Sequence, residues 1–326
     1  MKYLKTSGIP THGVALSRIG LGGMRIGADA QEGISAIHTA LDSGITFLNT
    51  ADFYQQGRIE MLFKEALSSR KREDVFISVK FGAMFGPDDK LYGVDNRPEH
   101  IKNYLAYSLK RLGTDYVDLY QPARHDPNIP VEEIIGAIAD MVKAGYVRNI
   151  GISEVDGQTL RRAYATHPIS LAEVRYSLMD RHIEDDLLPV ARELGVGVVA
   201  FGVLLSGLIG GSAPQEKLSA ISNAVSSSSL ASIQHNISQT DLLKAIADKK
   251  GITLAQLAIA WVLAQGEDIL ALVGSRTVAQ VKDTMKALDI HLDKEELRLI
   301  EEIIPKAQAN SSYMKELNLD KNGLIR

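Results

Sequence analysis

Two residues with complementary proton chemistry, Tyr54 and Lys80, each follow a short apolar run typical of a buried strand. If the two runs are neighbouring strands, these side chains can form an acid–base unit. A nearby ammonium group stabilises the phenolate form of a tyrosine, which lets the phenol exchange a proton. Spacing alone leaves a plainer interpretation open, with Tyr54 as a surface aromatic residue and Lys80 as a solvated charge at a strand end.

Several other chemistries are excluded by residue type or spacing. The chain contains no cysteine, which rules out disulfides, thiolate metal ligands and a cysteine nucleophile. No two of its eight histidines are closer in sequence than His167 and His182, so no histidine pair has metal-ligand spacing and no metal is expected. Neither the serine-hydrolase G-x-S-x-G pattern nor a Walker A motif is present.

The elements that must position Tyr54 and Lys80 alternate between apolar runs and amphipathic stretches. Eight runs are predicted as strands: Arg18–Leu21, Thr46–Asn49, Val75–Val79, Tyr116–Tyr120, Val147–Gly151, Leu171–Tyr176, Gly197–Phe201 and Ile269–Val273. Eight strand–helix units without a visible linker predict a single domain over residues 1–326, a closed (β/α)8 TIM barrel. The alternative is an open doubly wound sheet, but the one G-x-G-x-x-A match (195–200) lies inside a predicted strand.

Two segments lie outside this alternation. Residues 1–16 are predicted to form a hairpin that closes the bottom of the barrel, and extra helices are expected toward the C-terminus. About seventy residues separate the last two strands; they include a loop within 212–238 of undetermined conformation and helical patterns at 237–247 and 254–263.

Composition and charge narrow the class of protein further. The 326 residues carry a formal net charge of −4, so the chain lacks the excess of positive charge that is typical of nucleic-acid-binding proteins. The uncharged stretch 194–215 contains six glycines, and a buried strand followed by a glycine-rich loop explains it better than a membrane span does. The N-terminus lacks the apolar region of a secretory signal, and the absence of cysteine fits a reducing compartment, so a cytoplasmic location is expected.

Six short strings together resemble the aldo-keto reductase family: FLNTADFY (47–54), SVKFG (78–82), DLYQPARHDP (118–127), GYVRNIGISEV (145–155), RYSLMDR (175–181) and LVGSRT (272–277). They occur in the family's order over nearly the whole chain. The PAR-x-DP form resembles a bacterial branch of the family and also reductases that act on pyridoxal. The resemblance implies a (β/α)8 barrel that uses NADPH to reduce a small aldehyde or ketone.

The family's usual active site is a tetrad of Asp, Tyr, Lys and His. The resemblance assigns Tyr54 as the general acid and Lys80 as its partner, but Asn49 stands where the aspartate is usual and Ala123 where the histidine is usual. Asp52 is no obvious replacement, because the family commonly has an acid there too. His125, two positions late, is interpreted as a structural or solvated loop residue.

The asparagine raises a question about charge. An asparagine can accept a hydrogen bond from Lys80 but brings no negative charge, so a desolvated Lys80 is expected to favour its neutral form. A lysine that stayed charged would instead stabilise the Tyr54 phenolate more, because no carboxylate would oppose it, so the sign of the effect depends on burial. Hydride transfer works best with water excluded, so we expect Lys80 to be desolvated and Asn49→Asp to raise kcat.

The resemblance also implies a cofactor site. Ser153, Glu154 and Glu173 would face the nicotinamide amide, and Phe201 would stack on its ring. The remaining assignments are Leu204, Ser206 and Leu208 beside the pyrophosphate, Gly274, Ser275, Arg276 and Gln280 around the 2′-phosphate, and Asp283 near the adenine. Glu173 and Thr284 depart from the usual Gln and Asn. Independently of family, the helix start after Gly274 offers backbone N–H groups to an anion, and the Arg276 guanidinium suits a phosphate dianion.

Of three functions considered, the first, an NADPH-dependent carbonyl reductase, is the one that the sequence predicts. The second is an NADP(H)-binding barrel of impaired activity that acts as a sensor or interaction subunit. Asn49 and Ala123 support this alternative, because they replace residues of the family's usual active site. The third, a barrel isomerase or aldolase, would need Lys80 as a Schiff base, and the Arg276 segment argues against it. Neither the carbonyl substrate nor the oligomeric state follows from the sequence.

Overall fold

The computed structural model describes residues 2–6, 14–27, 29–207, 209, 227–309 and 318–325. Eight of its strands are parallel and close into a barrel, as predicted. The strands are β1 (Ile19–Gly22), β2 (Phe47–Ala51), β3 (Phe76–Phe81), β4 (Ala83–Phe85), β5 (Leu91–Val94), β6 (Val117–Pro122), β7 (Val147–Ser153), β8 (Ile169–Arg175), β9 (Gly197–Phe201) and β10 (Ile269–Val273). The order around the barrel is β1-β10-β9-β8-β7-β6-β3-β2, while β4 and β5 form a separate antiparallel hairpin.

Helices connect the barrel strands and cover their outer faces. The helices are α1 (Ala30–Asp42), α2 (Arg58–Leu67), α3 (Pro98–Leu112), α4 (Val131–Lys143), α5 (Gly157–Thr166), α6 (Leu187–Leu194), α7 (Ser227–Lys250), α8 (Leu254–Ala264), α9 (Val278–Met285) and α10 (Lys294–Ile303). Their ends follow local chemistry: α3 has proline in its first turn and stops at Gly113, which adopts a left-handed φ of 66°. Thr253 and Gln256 form a reciprocal capping box at the start of α8.

The interior of the barrel has an apolar layer near its amino-terminal end. This layer consists of Leu16, Phe47, Phe76, Leu119, Leu171, Val199, Leu270 and Leu272. Because strand side chains alternate between faces, the residues two positions further along four of these strands also point inward. Those residues are Asn49, Ser78, Gln121 and Glu173, and all four are buried. A polar layer therefore lies above the apolar one, toward the carboxyl ends of the strands.

The N-terminal segment pairs with the chain just before β1. Leu4 N donates to Leu16 O at 2.8 Å, and Tyr3 and Ser17 form an antiparallel bridge. These are the two arms that the predicted hairpin requires, and residues 7–13 between them lie outside the described residues. Leu16 reaches the apolar layer from the second arm, at the bottom of the barrel.

The uncharged stretch 194–215 begins with the strand that the sequence predicts. Gly195 ends α6 with a left-handed φ of 71°, and β9 follows from Gly197. Within the described part of the chain, no helix has the length and apolarity to cross a membrane. Residues 212–226 of the predicted loop 212–238 lie outside the described residues, and from Ser227 the backbone is helical.

Candidate active site

The structure brings Tyr54 and Lys80 together at the carboxyl end of the barrel. Lys80 lies near the end of β3, and its Nζ is 5.2 Å from the centre of the Tyr54 ring. Tyr54 opens a short 3₁₀ turn, Tyr54–Gly57, directly after β2. Gln55 and Gln56 in this turn have φ values of 48° and 49°, a left-handed backbone that non-glycine residues rarely adopt. Such backbone strain is common where a side chain must be held in one position for function.

An aromatic contact network fixes Tyr54 from the side of the hairpin. The Phe53 and Tyr54 rings meet edge to face, with centroids 5.1 Å apart. Phe53 also stacks on Phe85 of β4, with centroids 5.5 Å apart. The β4–β5 hairpin, which the sequence analysis did not predict, thereby forms one wall beside the tyrosine.

Lys80 makes two short polar contacts inside the barrel. Its Nζ donates to Asn49 Oδ1 and to Glu173 Oε1, both at 2.6 Å. Only 6% of Lys80 is exposed, so the ammonium group is shielded from water. Such a group needs a counter-charge within reach to remain ionised.

Glu173 supplies that charge. Its Oε2 accepts hydrogen bonds from Asn49 Nδ2 and from Gln121 Nε2, each at 2.7 Å, while Oε1 pairs with Lys80. Ser78 Oγ accepts weaker bonds from the same two amides, at 3.2 and 3.3 Å. Both carboxylate oxygens therefore have donors from the barrel interior. Asn49, Ser78, Lys80, Gln121 and Glu173 are called the buried polar cluster below.

The expectation that Lys80 lacks a counter-charge is therefore wrong. Asn49 does accept the hydrogen bond from Lys80, but a carboxylate from β8 lies equally close. Burial by itself lowers the pKa of Lys80, yet the negative charge of Glu173 and the Tyr54 phenol leave that pKa raised above its ordinary value. The ammonium form is the stable one, contrary to the neutral lysine that the sequence analysis favoured.

The other acids and the histidine near the motif have separate positions. Asp52 is half-buried, and burial together with the nearby Glu60 charge raises its pKa to about 7. Its carboxylate takes backbone hydrogen bonds from Gly82 and Phe53, so it does not replace the aspartate missing at position 49. His125 Nε2 pairs with Ile129 O at 3.0 Å, a local contact within its own loop.

Ala123 is buried, and its backbone N–H donates to Phe81 O at 2.8 Å. The next residue, Arg124, brings a guanidinium to the mouth of the site. Arg124 Nη1 lies 3.5 Å from Glu154 Oε2, and the charges of Glu173 and Tyr54 also act on it. Burial lowers the pKa of Arg124 below its ordinary value, although nearby Glu154 opposes this effect.

The residues assigned to the nicotinamide end occupy the ends of β7, β8 and β9. Ser153 is buried and pairs in register with Glu173. Glu154 has a φ of 52°, and its carboxylate accepts hydrogen bonds from the backbone N and the Nε of Arg175, at 2.7 and 2.9 Å. Phe201 is half-buried above the apolar layer. Contacts of these residues with a cofactor remain predictions.

The glycine-rich segment that follows β9 is described in part. Leu204 is half-buried and packs against the main core. Ser206 belongs to a short 3₁₀ turn, Leu205–Gly207, and its side chain is not among those described. Leu208 lies outside the described residues. Their predicted place beside the pyrophosphate is therefore untested.

The predicted phosphate end lies where β10 leads into α9. Ser275 is buried and its Oγ lies 3.2 Å from Thr284 Oγ1, while Arg276 N donates to Gln280 Oε1 at 2.8 Å. The Arg276 side chain is exposed, and no ion-pair partner for it exists among the described residues. Asp283 accepts a 2.6 Å hydrogen bond from Gln256. The Arg276 guanidinium and the first turn of α9 thus offer a cationic, N–H-rich surface to an anion.

A Cβ added to Gly274 would meet only Gly22 O, at 3.9 Å, so a ligand can approach the backbone there. Among the described residues, no group of three histidine, aspartate or glutamate side chains is placed to hold a metal ion.

Sequence reasoning did not find the pairing of Lys80 with Glu173, nor the supporting contacts of Ser78 and Gln121. A signal for the pairing was present. Two departures from the family pattern occur together, Asn for Asp at position 49 and Glu for Gln at position 173. Together they keep one carboxylate and one amide at positions 49 and 173 while exchanging which position holds which group.

The sequence and the fold of this chain are similar to those of known proteins. The model of the aldo/keto reductase family matches residues 18–305. A probable aldo-keto reductase of Glycine max is 37% identical over 311 residues, which cover 90% of this chain and 87% of that protein. The glycerol dehydrogenase of Gluconobacter oxydans superposes with a TM-score of 0.80 at 26% identity, over 98% of both chains. An aldo-keto reductase of Klebsiella pneumoniae in complex with NADPH superposes with a TM-score of 0.72 at 27% identity, over 93% and 96% of the two chains.

Proposed function

The chain belongs to the aldo/keto reductase family, and we propose that it is an NADPH-dependent oxidoreductase that reduces an aldehyde or ketone to an alcohol. One observation carries the proposal: the Lys80 ammonium, paired with Glu173, lies 5.2 Å from the ring centre of Tyr54. A buried cation beside a phenol is the arrangement that general acid catalysis by tyrosine requires.

Tyr54 donates the proton that the carbonyl oxygen gains as the substrate is reduced. The fixed ammonium of Lys80 stabilises the phenolate that remains, and its burial strengthens this electrostatic effect. Phe53 packs edge to face against the Tyr54 ring, and Phe85 supports Phe53 by stacking on it. NADPH, when bound, would be the source of the hydride.

The surface around Gly274 fits the adenosine phosphate of NADPH. Arg276 is exposed without an ion-pair partner among the described residues, and the first turn of α9 provides backbone donors. We assign Ser275, Arg276 and Gln280 to the 2′-phosphate, and Phe201 to the face of the nicotinamide. The Klebsiella pneumoniae relative, which binds NADPH, supports this assignment by analogy.

The test is NADPH oxidation in the presence of a panel of aldehydes and ketones, beside a fluorescence titration of NADPH. We expect turnover of at least one carbonyl by the wild type and its loss in Tyr54→Phe. Binding of NADPH without turnover of any carbonyl would instead support the sensor or interaction subunit, for which Ala123 at the usual histidine position is the remaining argument. Absence of NADPH binding would reject both functions.

A further inference from the structure

Resting on the proposed function, we infer that Glu173 is the positioning residue that keeps Lys80 charged and directed toward Tyr54, and that it does so in place of an acid at position 49. Among the described residues, the side-chain hydrogen bonds of Glu173 go to Lys80, Asn49 and Gln121. It acts through Lys80, which is why its role differs from contact with the nicotinamide amide.

The position of β8 in the barrel lets Glu173 reach Lys80 from a different direction than Asn49 does. Strands β2 and β8 lie opposite one another, separated by three strands in either direction around the barrel. Glu173 therefore approaches Lys80 across the interior, while Asn49 approaches it from the neighbouring strand, β2. The two meet at the ammonium, each 2.6 Å from Nζ.

The hydrogen-bond directions show that the Asn49 amide and the Glu173 carboxylate are complementary as donor and acceptor. Asn49 Oδ1 accepts from Lys80, and Asn49 Nδ2 donates to Glu173 Oε2. Gln121 donates to the same oxygen from β6. Only a carboxylate at position 173 can accept from the amides at 49 and 121 and still pair with the ammonium.

Charge counting leads to the same conclusion. The buried polar cluster contains one cation, Lys80, and one anion, Glu173. Removing the anion would leave a buried ammonium without compensation, whereas a second carboxylate at position 49 would leave a buried excess of negative charge. Exchanging the two side chains, with Asp at 49 and Gln at 173, would keep the cluster neutral and reverse the hydrogen bond between them.

The charged groups around Lys80 are few enough for its titration to be interpreted. Glu173 faces it from β8 and Tyr54 from the turn after β2. Arg124, after β6, acts electrostatically on Glu173 and Tyr54, and it is itself paired with Glu154. Arg175 bonds to Glu154 beyond that pair. These outer charges are the same in every variant compared below.

The experiment compares wild type, Glu173→Gln, Asn49→Asp and the double exchange Asn49→Asp/Glu173→Gln. The Lys80 side chain is titrated by NMR with lysine labelled at Cε, and its resonance is assigned by its loss in Lys80→Met. We expect the midpoint of Lys80 to fall by about 1–3 pH units in Glu173→Gln. The double exchange should restore most of that shift. Ser78→Ala is the matched control, because it removes a hydrogen-bonding oxygen from the cluster without changing its charge, and it should leave the midpoint in place.

Activity provides the second readout. The alkaline limb of the kcat profile should move to lower pH in Glu173→Gln by the same amount as the Lys80 midpoint, and it should return in the double exchange. A Lys80 midpoint that does not move in Glu173→Gln, or a double exchange no better than the poorer single variant, would overturn the inference. The titration of Lys80 does not depend on turnover. If the protein reduced no carbonyl, the proposed function would be refuted, but the Lys80 midpoints would still test the role of Glu173.

Discussion

Asn49 Nδ2 donates a 2.7 Å hydrogen bond to Glu173 Oε2 through the interior of the barrel, so an amide and a carboxylate on opposite strands are complementary. An aspartate at position 49 would have to place an oxygen where the amide now donates. Two carboxylates at this distance cannot both ionise without a large cost.

Asn49→Asp alone is therefore expected to lower kcat, the reverse of the effect expected from sequence. The free energy of unfolding should also fall by about 1–3 kcal/mol near neutral pH, because one buried carboxylate lacks a donor. The penalty should shrink as the pH is lowered, since a protonated acid at either position can donate to the other. Urea denaturation of the variant and the wild type at several pH values measures this, and an increase in kcat at neutral pH would contradict it.

Tyr54→Phe is expected to reduce carbonyl turnover by about a hundred- to ten-thousandfold, the usual contribution of general acid catalysis. The ring and its contact with Phe53 are retained, so NADPH affinity should stay within a few-fold of the wild type. Steady-state kinetics and fluorescence titration measure the two quantities. If most of kcat survived, another group would have to protonate the carbonyl oxygen.

Arg276→Ala is expected to weaken NADPH binding by roughly ten- to a hundredfold, the loss of a charge-assisted contact worth about 1.5–3 kcal/mol. Binding of NADH, which lacks the 2′-phosphate, should change far less. Lys282→Ala is the control, because Lys282 is an exposed cation on α9, the helix that follows Arg276, and has no assigned phosphate contact. Equal affinity of the wild type for NADPH and NADH would refute the assignment.

Asp52→Asn is expected to change how stability depends on pH. The folded protein holds the Asp52 proton up to about pH 7, whereas an unfolded chain releases it near pH 4. Between those values the folded state binds the extra proton, so stability falls as the pH rises, and above them the loss is complete. Burial is the main cause and the neighbouring Glu60 charge adds to it, while Arg111 opposes both.

The amide cannot ionise, so Asp52→Asn should flatten this decline and raise the melting temperature at pH 8 more than at pH 5. The linkage free energy is at most about 4 kcal/mol, and partial exposure of Asp52 reduces it. Thermal unfolding across this pH range measures the effect. Asp115→Asn, at an exposed aspartate, is the control; an equal change in both variants would point to net charge alone.

The architecture and the predicted place of the chemistry follow from the pattern of residues along the chain. Buried strands of a parallel barrel are continuous apolar runs, so the sequence predicts all eight barrel strands with ends displaced by at most two residues. The end of α3 at Gly113 also has a local cause, because glycine readily adopts the left-handed backbone that terminates a helix. The β4–β5 hairpin was missed because its three- and four-residue strands are too short for a periodic pattern. Tyr54 and Lys80 could be assigned because functional residues of such barrels follow the strands' carboxyl ends.

The acid that pairs with Lys80, by contrast, is set by the closed barrel. Asn49 lies five residues from Tyr54, so sequence reasoning looked for the missing charge nearby and found none. Glu173 is 93 residues from Lys80 along the chain, and closure of the barrel brings the two carboxylate oxygens to the ammonium and the amides. The distance between two side chains on different strands of a closed barrel depends on the order and register of the strands. The hydrophobic periodicity of the sequence does not contain that information. The charge state of the buried lysine is therefore a property of the fold rather than of the local motif.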